Sequence, residues 1–193
     1  MSEAHVMEGI FLVTGGARSG KSSFAEKFAE SFGNRIAYIA TAQIFDDEMK
    51  HRVKLHRKRR PDSWQTFESP FNAHETIRKI HDVDAILFDC VTIYLSNLIC
   101  SFENLDDFEK ISIAVKKSME DLISASRDFC ESGGKIIFVT NEVGSGIVPE
   151  NKLARIYRDF AGISNQMLAQ NSEKIFLVVS GIPIDLRQIQ FKM

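Results

Sequence analysis

Residues 15 to 22 read Gly-Gly-Ala-Arg-Ser-Gly-Lys-Ser and satisfy the pattern G-x-x-x-x-G-K-[ST]. Glycines at such spacing let the backbone turn its N–H groups inward around phosphate oxygens, and a helix beginning near Lys21 would add its positive end. Gly15, Gly16, Ala17, Arg18, Ser19 and Gly20 would cradle the phosphates, Lys21 would neutralise the β and γ phosphates, and the Ser22 hydroxyl would bind Mg²⁺. Such a metal needs an acidic partner. Asp89 ends the run Ala85–Asp89, four apolar residues followed by a carboxylate, and is the candidate. Any strand can end in Asp; the phosphate loop is what gives this one a metal role.

A second chemistry is suggested by His56–Pro61, HRKRRP, which sets one imidazole beside Arg57, Lys58, Arg59 and Arg60. The residues alone are compatible with a solvated basic helix face. They are also compatible with a nucleophilic histidine that attacks phosphorus while the cations hold the polyphosphate and lower its proton affinity. In-line phosphoryl transfer by itself requires no covalent nucleophile.

The elements that must position these groups are legible as short, continuously apolar runs: Gly9–Thr14, Arg35–Thr41, Ala85–Asp89, Lys135–Thr140 and Lys174–Ser180. Continuous rather than alternating apolarity predicts strands covered on both faces. Stretches with helical spacing lie between them, at Lys21–Phe32, Ala73–His81, Phe108–Glu131 and Asn151–Gln170. Strand and helix alternate, which predicts an α/β, P-loop NTPase-like fold: a mainly parallel central sheet with helices on both faces. Thr66–Ser69 could add a short strand. Asn141–Gly146, NEVGSG, follows a strand directly, at the sheet end where such folds place ligands; Asn141 and Glu142 could face the site, or Asn141 could cap the loop. Arg155 and Asp159 are spaced as an i,i+4 ion pair and are expected to be structural.

Composition bounds the rest. The chain has 193 residues, 44% of them hydrophobic, with 24 Lys plus Arg against 26 Asp plus Glu for a formal charge of −2. This excludes a disordered tail or a disulfide scaffold and predicts one domain over residues 1–193. There is no global field to attract nucleic acid or an anionic membrane. Cys90, Cys100 and Cys130 are an odd number at spacings foreign to zinc sites, as expected of reduced thiols in the cytoplasm. No stretch approaches the roughly 18 apolar residues of a membrane helix.

At this point the chain resembles a known family, the bifunctional adenosylcobinamide kinase/adenosylcobinamide-phosphate guanylyltransferases of cobalamin biosynthesis. The matching pieces are TGGARSGKS at Thr14–Ser22, YIATAQ at Tyr38–Gln43, DDEM at Asp46–Met49, H-x-x-x-R-P at His56–Pro61, W-x-T-x-E at Trp64–Glu68, NEVGSGIVPEN at Asn141–Asn151 and ARIYRDFAGISNQ at Ala154–Gln166. The resemblance implies two reactions: phosphorylation of the adenosylcobinamide aminopropanol hydroxyl by GTP or ATP with Mg²⁺, then GMP transfer from GTP through a GMP-histidine intermediate. It carries the nucleophile's role to His56; some members have adjacent histidines here, whereas this chain has Leu55-His56. It implies further that Thr41, Ala42 and Gln43 line the nucleotide site, that Glu68 contacts guanine or ribose, and that Arg57 and Arg60 contact phosphates. A homotrimer is implied too, for which Phe102, Phe108 and Phe129 could supply an interface or fill the core. The competing readings are a P-loop small-molecule kinase without guanylyl transfer, retention of only one activity, and a nucleotide-binding regulatory module. An intact Lys21, Ser22 and Asp89 argues against the last.

Overall fold

Each apolar run becomes a strand, and a helical stretch returns the chain across the sheet before most of the next ones; the computed structural model describes residues 9–43 and 61–191. The elements are β1 (Gly9–Thr14), α1 (Lys21–Glu30), β2 (Ile36–Ala40), β3 (Gln65–Glu68), α2 (Ala73–Lys79), β4 (Ala85–Asp89), α3 (Val91–Cys100), α4 (Phe108–Glu131), β5 (Lys135–Val139), α5 (Lys152–Gln170), β6 (Lys174–Val179) and β7 (Ile182–Asp185). They build one seven-stranded sheet in the order β3-β2-β4-β5-β1-β6-β7. Every neighbouring pair is parallel except the antiparallel β6–β7 hairpin.

Strand alternation divides the core in two. Phe11, Val13, Ile36, Leu87, Ile137 and Val139 point toward α1, where they meet Ala25 and Ala29. Ile10, Leu12, Ile39, Ile86, Phe88, Ile136 and Phe138 point the other way, into a larger cluster with α2, α3, α4 and α5. Helices therefore cover both faces. Of the three aromatics considered for an interface, Phe102 and Phe129 pack with the larger cluster, and half-exposed Phe108 stacks on buried Phe160 with ring centroids 5.1 Å apart.

Two elements depart from the sequence expectation. Helix α3, VTIYLSNLIC, carries so many apolar residues that it has no clear helical stripe; six of its ten residues are buried. Strand β7, IPID, contains Pro183, which is tolerated because β7 is the sheet's edge. β6, expected to be covered on both faces, is mostly half-buried, because one strand in from that edge its faces are less covered than those of the central strands.

One register row crosses the whole sheet: Glu68, Ala40, Asp89, Val139, Val13, Phe176 and Asp185 are successive partners. Side chains in such a row share a face, so the Asp89 carboxylate lies on the side of α1. The loops beyond this row continue the pairing: Thr140 N donates to Val13 O at 2.9 Å, Glu142 N to Gly15 O at 3.1 Å, and Thr41 N to Asp89 O at 3.3 Å.

Candidate nucleotide site

The turn from β1 into α1 is built for close approach. A Cβ at Gly15 would sit 2.5 Å from the Val178 carbonyl oxygen and 2.6 Å from Ser19 Oγ, and Gly20 takes a φ of +94°, where other residues are strained. Gly20 caps α1 and provides no side-chain acceptor, whereas α4 and α5 are capped by Asp107 and Asn151. The first-turn N–H groups of α1 thus remain available to an anion. Ser19 Oγ is buried and, among the described residues, has no hydrogen-bond partner. From the far side, Gly181 N in the β6–β7 turn donates to Ser19 O at 2.7 Å and braces the loop.

Lys21 opens α1 and is buried, with Nζ donating to Gly16 O at 3.0 Å. Burial pushes its ammonium below the usual lysine value, while the neighbouring Cys90 and Asp89 pull it the other way. Asp89 stands two strands from β1 and accepts a hydrogen bond from Tyr38 Oη at 2.9 Å. Its main chain is clamped by Thr41. That hydroxyl donates to Cys90 O at 2.8 Å and accepts from Cys90 N at 2.9 Å, while Thr41 O accepts from Asn97 Nδ2 at 2.8 Å. Burial, with Asp89's negative charge beside it, pushes the Cys90 thiol up to about 11, so it is a packed thiol and not a nucleophile at neutral pH.

A third loop closes the cleft, whose volume is about 710 Å³ and whose wall includes Ala17 to Ser23, Asp89, Cys90, Ile93, Asn141, Glu142 and Val143. Thr140 Oγ1 donates to Asn165 Oδ1 at 2.7 Å, Asn165 Nδ2 to Asn141 O at 3.2 Å, and Asn141 Nδ2 to Thr92 Oγ1 at 2.8 Å. Asn165 thereby holds the loop after β5 to α5, and Thr92 holds it to α3. Its part was hidden in the sequence because a positioning role depends on which helix packs beside which loop; the string NQ at 165–166 was the available signal.

The structure thus brings together Ala17, Arg18, Ser19, Gly20, Lys21, Ser22 and Asp89 around one cleft, with Gly15 and Gly16 shaping its loop. Thr41 is fully enclosed and is joined to the cleft through its bonds to the Asp89–Cys90 turn. Ala42 and Gln43 follow it, half-buried, and Glu68 is exposed at the end of the edge strand β3. Glu68 is four strand spacings from β1, about 19 Å across the sheet, so it stands apart from the cleft at the phosphate loop. His56, Arg57 and Arg60 lie outside the described residues. The expected Arg155–Asp159 ion pair is not made: Arg155 Nη1 donates instead to the carbonyls of Pro149 and Glu150, because the chain entering α5 offers acceptors that need no charged partner.

Comparison with known proteins decides the family. Residues 11–186 match the family model described as cobinamide kinase / cobinamide phosphate guanyltransferase. The chain belongs to this family. It is 41% identical over 184 residues to the bifunctional adenosylcobalamin biosynthesis protein CobU of Escherichia coli strain K12, covering 92% of this chain and 99% of that one. The protein of the same name from Salmonella typhimurium strain LT2 is also 41% identical, over 181 residues, with the same coverage. Among solved structures, the Legionella pneumophila ATPase DotB superposes with a TM-score of 0.39 at 16% identity, over 88% of this chain and 40% of that chain.

The residues of this cobinamide kinase / guanyltransferase family member fit a nucleotide accompanied by a divalent cation. The α1 N-terminus without a side-chain cap, the Ser19 hydroxyl and the buried Lys21 ammonium would all be complemented by a polyphosphate. Ser22 and Asp89 supply a hydroxyl and a carboxylate on the same cleft, the oxygen donors that hard cations prefer. Among the described residues no helix is long and apolar enough to cross a membrane.

Proposed function

We propose that this enzyme phosphorylates the aminopropanol hydroxyl of adenosylcobinamide with a nucleoside triphosphate, GTP or ATP, and then transfers GMP from GTP to the new phosphate, giving adenosylcobinamide-GDP and pyrophosphate. The observation that carries the reading is the anion-ready phosphate loop facing Asp89, in a chain whose family is defined by those two activities. In the kinase half, the loop amides and Lys21 hold the triphosphate, and Lys21 faces the charge that develops between the β and γ phosphates. Ser22 and Asp89 would hold Mg²⁺, which when bound spreads the phosphate charge.

In the guanylyl half, the His56 imidazole attacks the α-phosphorus of GTP, the bond from that phosphorus to the bridging oxygen breaks, and pyrophosphate leaves. An oxygen of adenosylcobinamide phosphate then displaces the imidazole, breaking the P–N bond. Arg57 and Arg60 would hold the polyphosphate. Glu68 would accept the guanine N1–H and N2–H₂, for which its exposed place at the end of β3 is suitable. We propose a homotrimer acting in the cytoplasm, without nucleic-acid partners.

The test is incubation with Mg²⁺ and α-³²P-labelled GTP, denaturation, and comparison with His56→Ala. An acid-labile, alkali-stable GMP adduct that is lost in the variant is the expected result. No adduct in the wild type would leave a P-loop kinase without guanylyl transfer, and an adduct persisting in the variant would require another nucleophile.

A further inference from the structure

We propose that Glu142 is the general base of the phosphoryl-transfer half and has no such role in guanylyl transfer. The inference rests on the two-reaction reading above. The two acceptors differ in one proton: the aminopropanol hydroxyl must lose one to become a nucleophile, whereas adenosylcobinamide phosphate arrives already ionised. A base is therefore needed once, beside the γ-phosphate.

Among the described residues lining the cleft, the carboxylates are Asp89 and Glu142. Asp89 already accepts the Tyr38 hydroxyl and sits beside Lys21, as suits a group that binds cations. Glu142 is placed differently. Its main-chain N–H is fastened to Gly15 O at 3.1 Å, which locks the residue to the phosphate loop itself. Its Oε1 accepts from Gly144 N at 2.7 Å, which orients the carboxylate, and among the described residues its second oxygen has no protein partner. The preceding residue, Asn141, is held from both sides by Thr92 and Asn165. Glu142 itself is exposed, so a substrate can reach it. In the step, the hydroxyl oxygen bonds to the γ-phosphorus, the bond from that phosphorus to the β,γ-bridging oxygen breaks, the nucleoside diphosphate leaves, and the hydroxyl proton passes to Glu142 and then to solvent.

Glu142→Gln tests this, because the amide oxygen can keep the bond to Gly144 N while losing basicity. Expected in the full-length protein are a kcat for adenosylcobinamide phosphorylation lower by about 100-fold or more, a KM for the nucleotide within about threefold of wild type, an unchanged Mg²⁺ dependence, and continued GMP transfer to adenosylcobinamide phosphate supplied directly. A kinase kcat within about threefold of wild type overturns the assignment. So does parallel loss of both reactions or a shifted Mg²⁺ requirement, since either would mean that Glu142 serves structure or metal. If the wild-type protein transfers GMP and phosphorylates nothing, the kinase reading itself is wrong and the assignment goes with it.

Discussion

Replacing Thr41 by valine removes a hydroxyl that two main-chain groups of Cys90 share, and keeps the side chain's shape. The consequences for those groups are unequal. Cys90 O also accepts from Tyr94 N at 3.1 Å, so it stays paired and the loss there is that of one ordinary bond, about 1 kcal/mol. Cys90 N has Thr41 Oγ1 as its acceptor, and leaving a buried N–H unpaired costs about 1–3 kcal/mol. The sum predicts that Thr41→Val is less stable by about 2–4 kcal/mol. Thr41→Ser keeps both bonds and loses one enclosed methyl, about 1 kcal/mol. With a denaturant dependence near 2 kcal/mol per molar, the urea midpoint should fall by about 1–2 M for the valine variant and by about 0.5 M for the serine variant. Equilibrium urea unfolding measures both. Because Asp89 is the residue before this clamp, Mg²⁺-nucleotide affinity should fall in the valine variant and survive in the serine variant. A valine variant as stable as the serine variant would refute the argument that this hydroxyl holds the turn.

Three further outcomes are expected. Lys21→Met removes an ammonium that burial disfavours, so the ligand-free protein should melt no lower than wild type in a thermal scan, while nucleotide ceases to raise its melting temperature and phosphoryl transfer falls about 100-fold or more. Burial pushes the thiols of both Cys90 and Cys130 up to about 11, so a disulfide reagent at pH 8 should label exposed Cys100 first, read by mass spectrometry. Unfolded thiols ionise first as pH rises, so the unfolded state binds fewer protons between roughly pH 9 and 11 and stability measured by urea unfolding should decline across that interval. Glu68→Gln should narrow the discrimination between GTP and ATP in adduct formation; unchanged discrimination would remove Glu68 from guanine recognition.

What could be read in the residues depended on how local the cause was. β1, β4 and α4 have the predicted bounds because apolar runs and caps act within the element. The phosphate loop was legible for the same reason: its chemistry lies in eight consecutive residues. Helix α3 escaped because its continuous apolarity, which suits a helix packed in the larger cluster, reads like that of a buried strand. β7 escaped because Pro183 argues against a strand unless the edge position is known. At the site, Thr41 illustrates the limit. The family resemblance put it beside the nucleotide, yet the pairing of β2 with β4 is what shows that its hydroxyl is spent on Cys90. Arg155 likewise found carbonyls upstream in the chain that no i,i+4 count would reveal.

The β6–β7 turn has a bearing on how this chain can be engineered. Exposed two-residue hairpin tips are ordinarily the places where a protein accepts an inserted tag, reporter or new terminus. Here Ser180 and Gly181 form such a tip, exposed and carrying φ values of 51° and 82°, but the Gly181 amide is fastened to Ser19 and its Cα lies 3.0 Å from where a Cβ on Gly20 would be. An insertion there would release the back of the phosphate loop, whereas one at Gly133, which precedes β5 at the opposite end of the strands and where a Cβ would meet no atom within 4 Å, would leave that loop undisturbed.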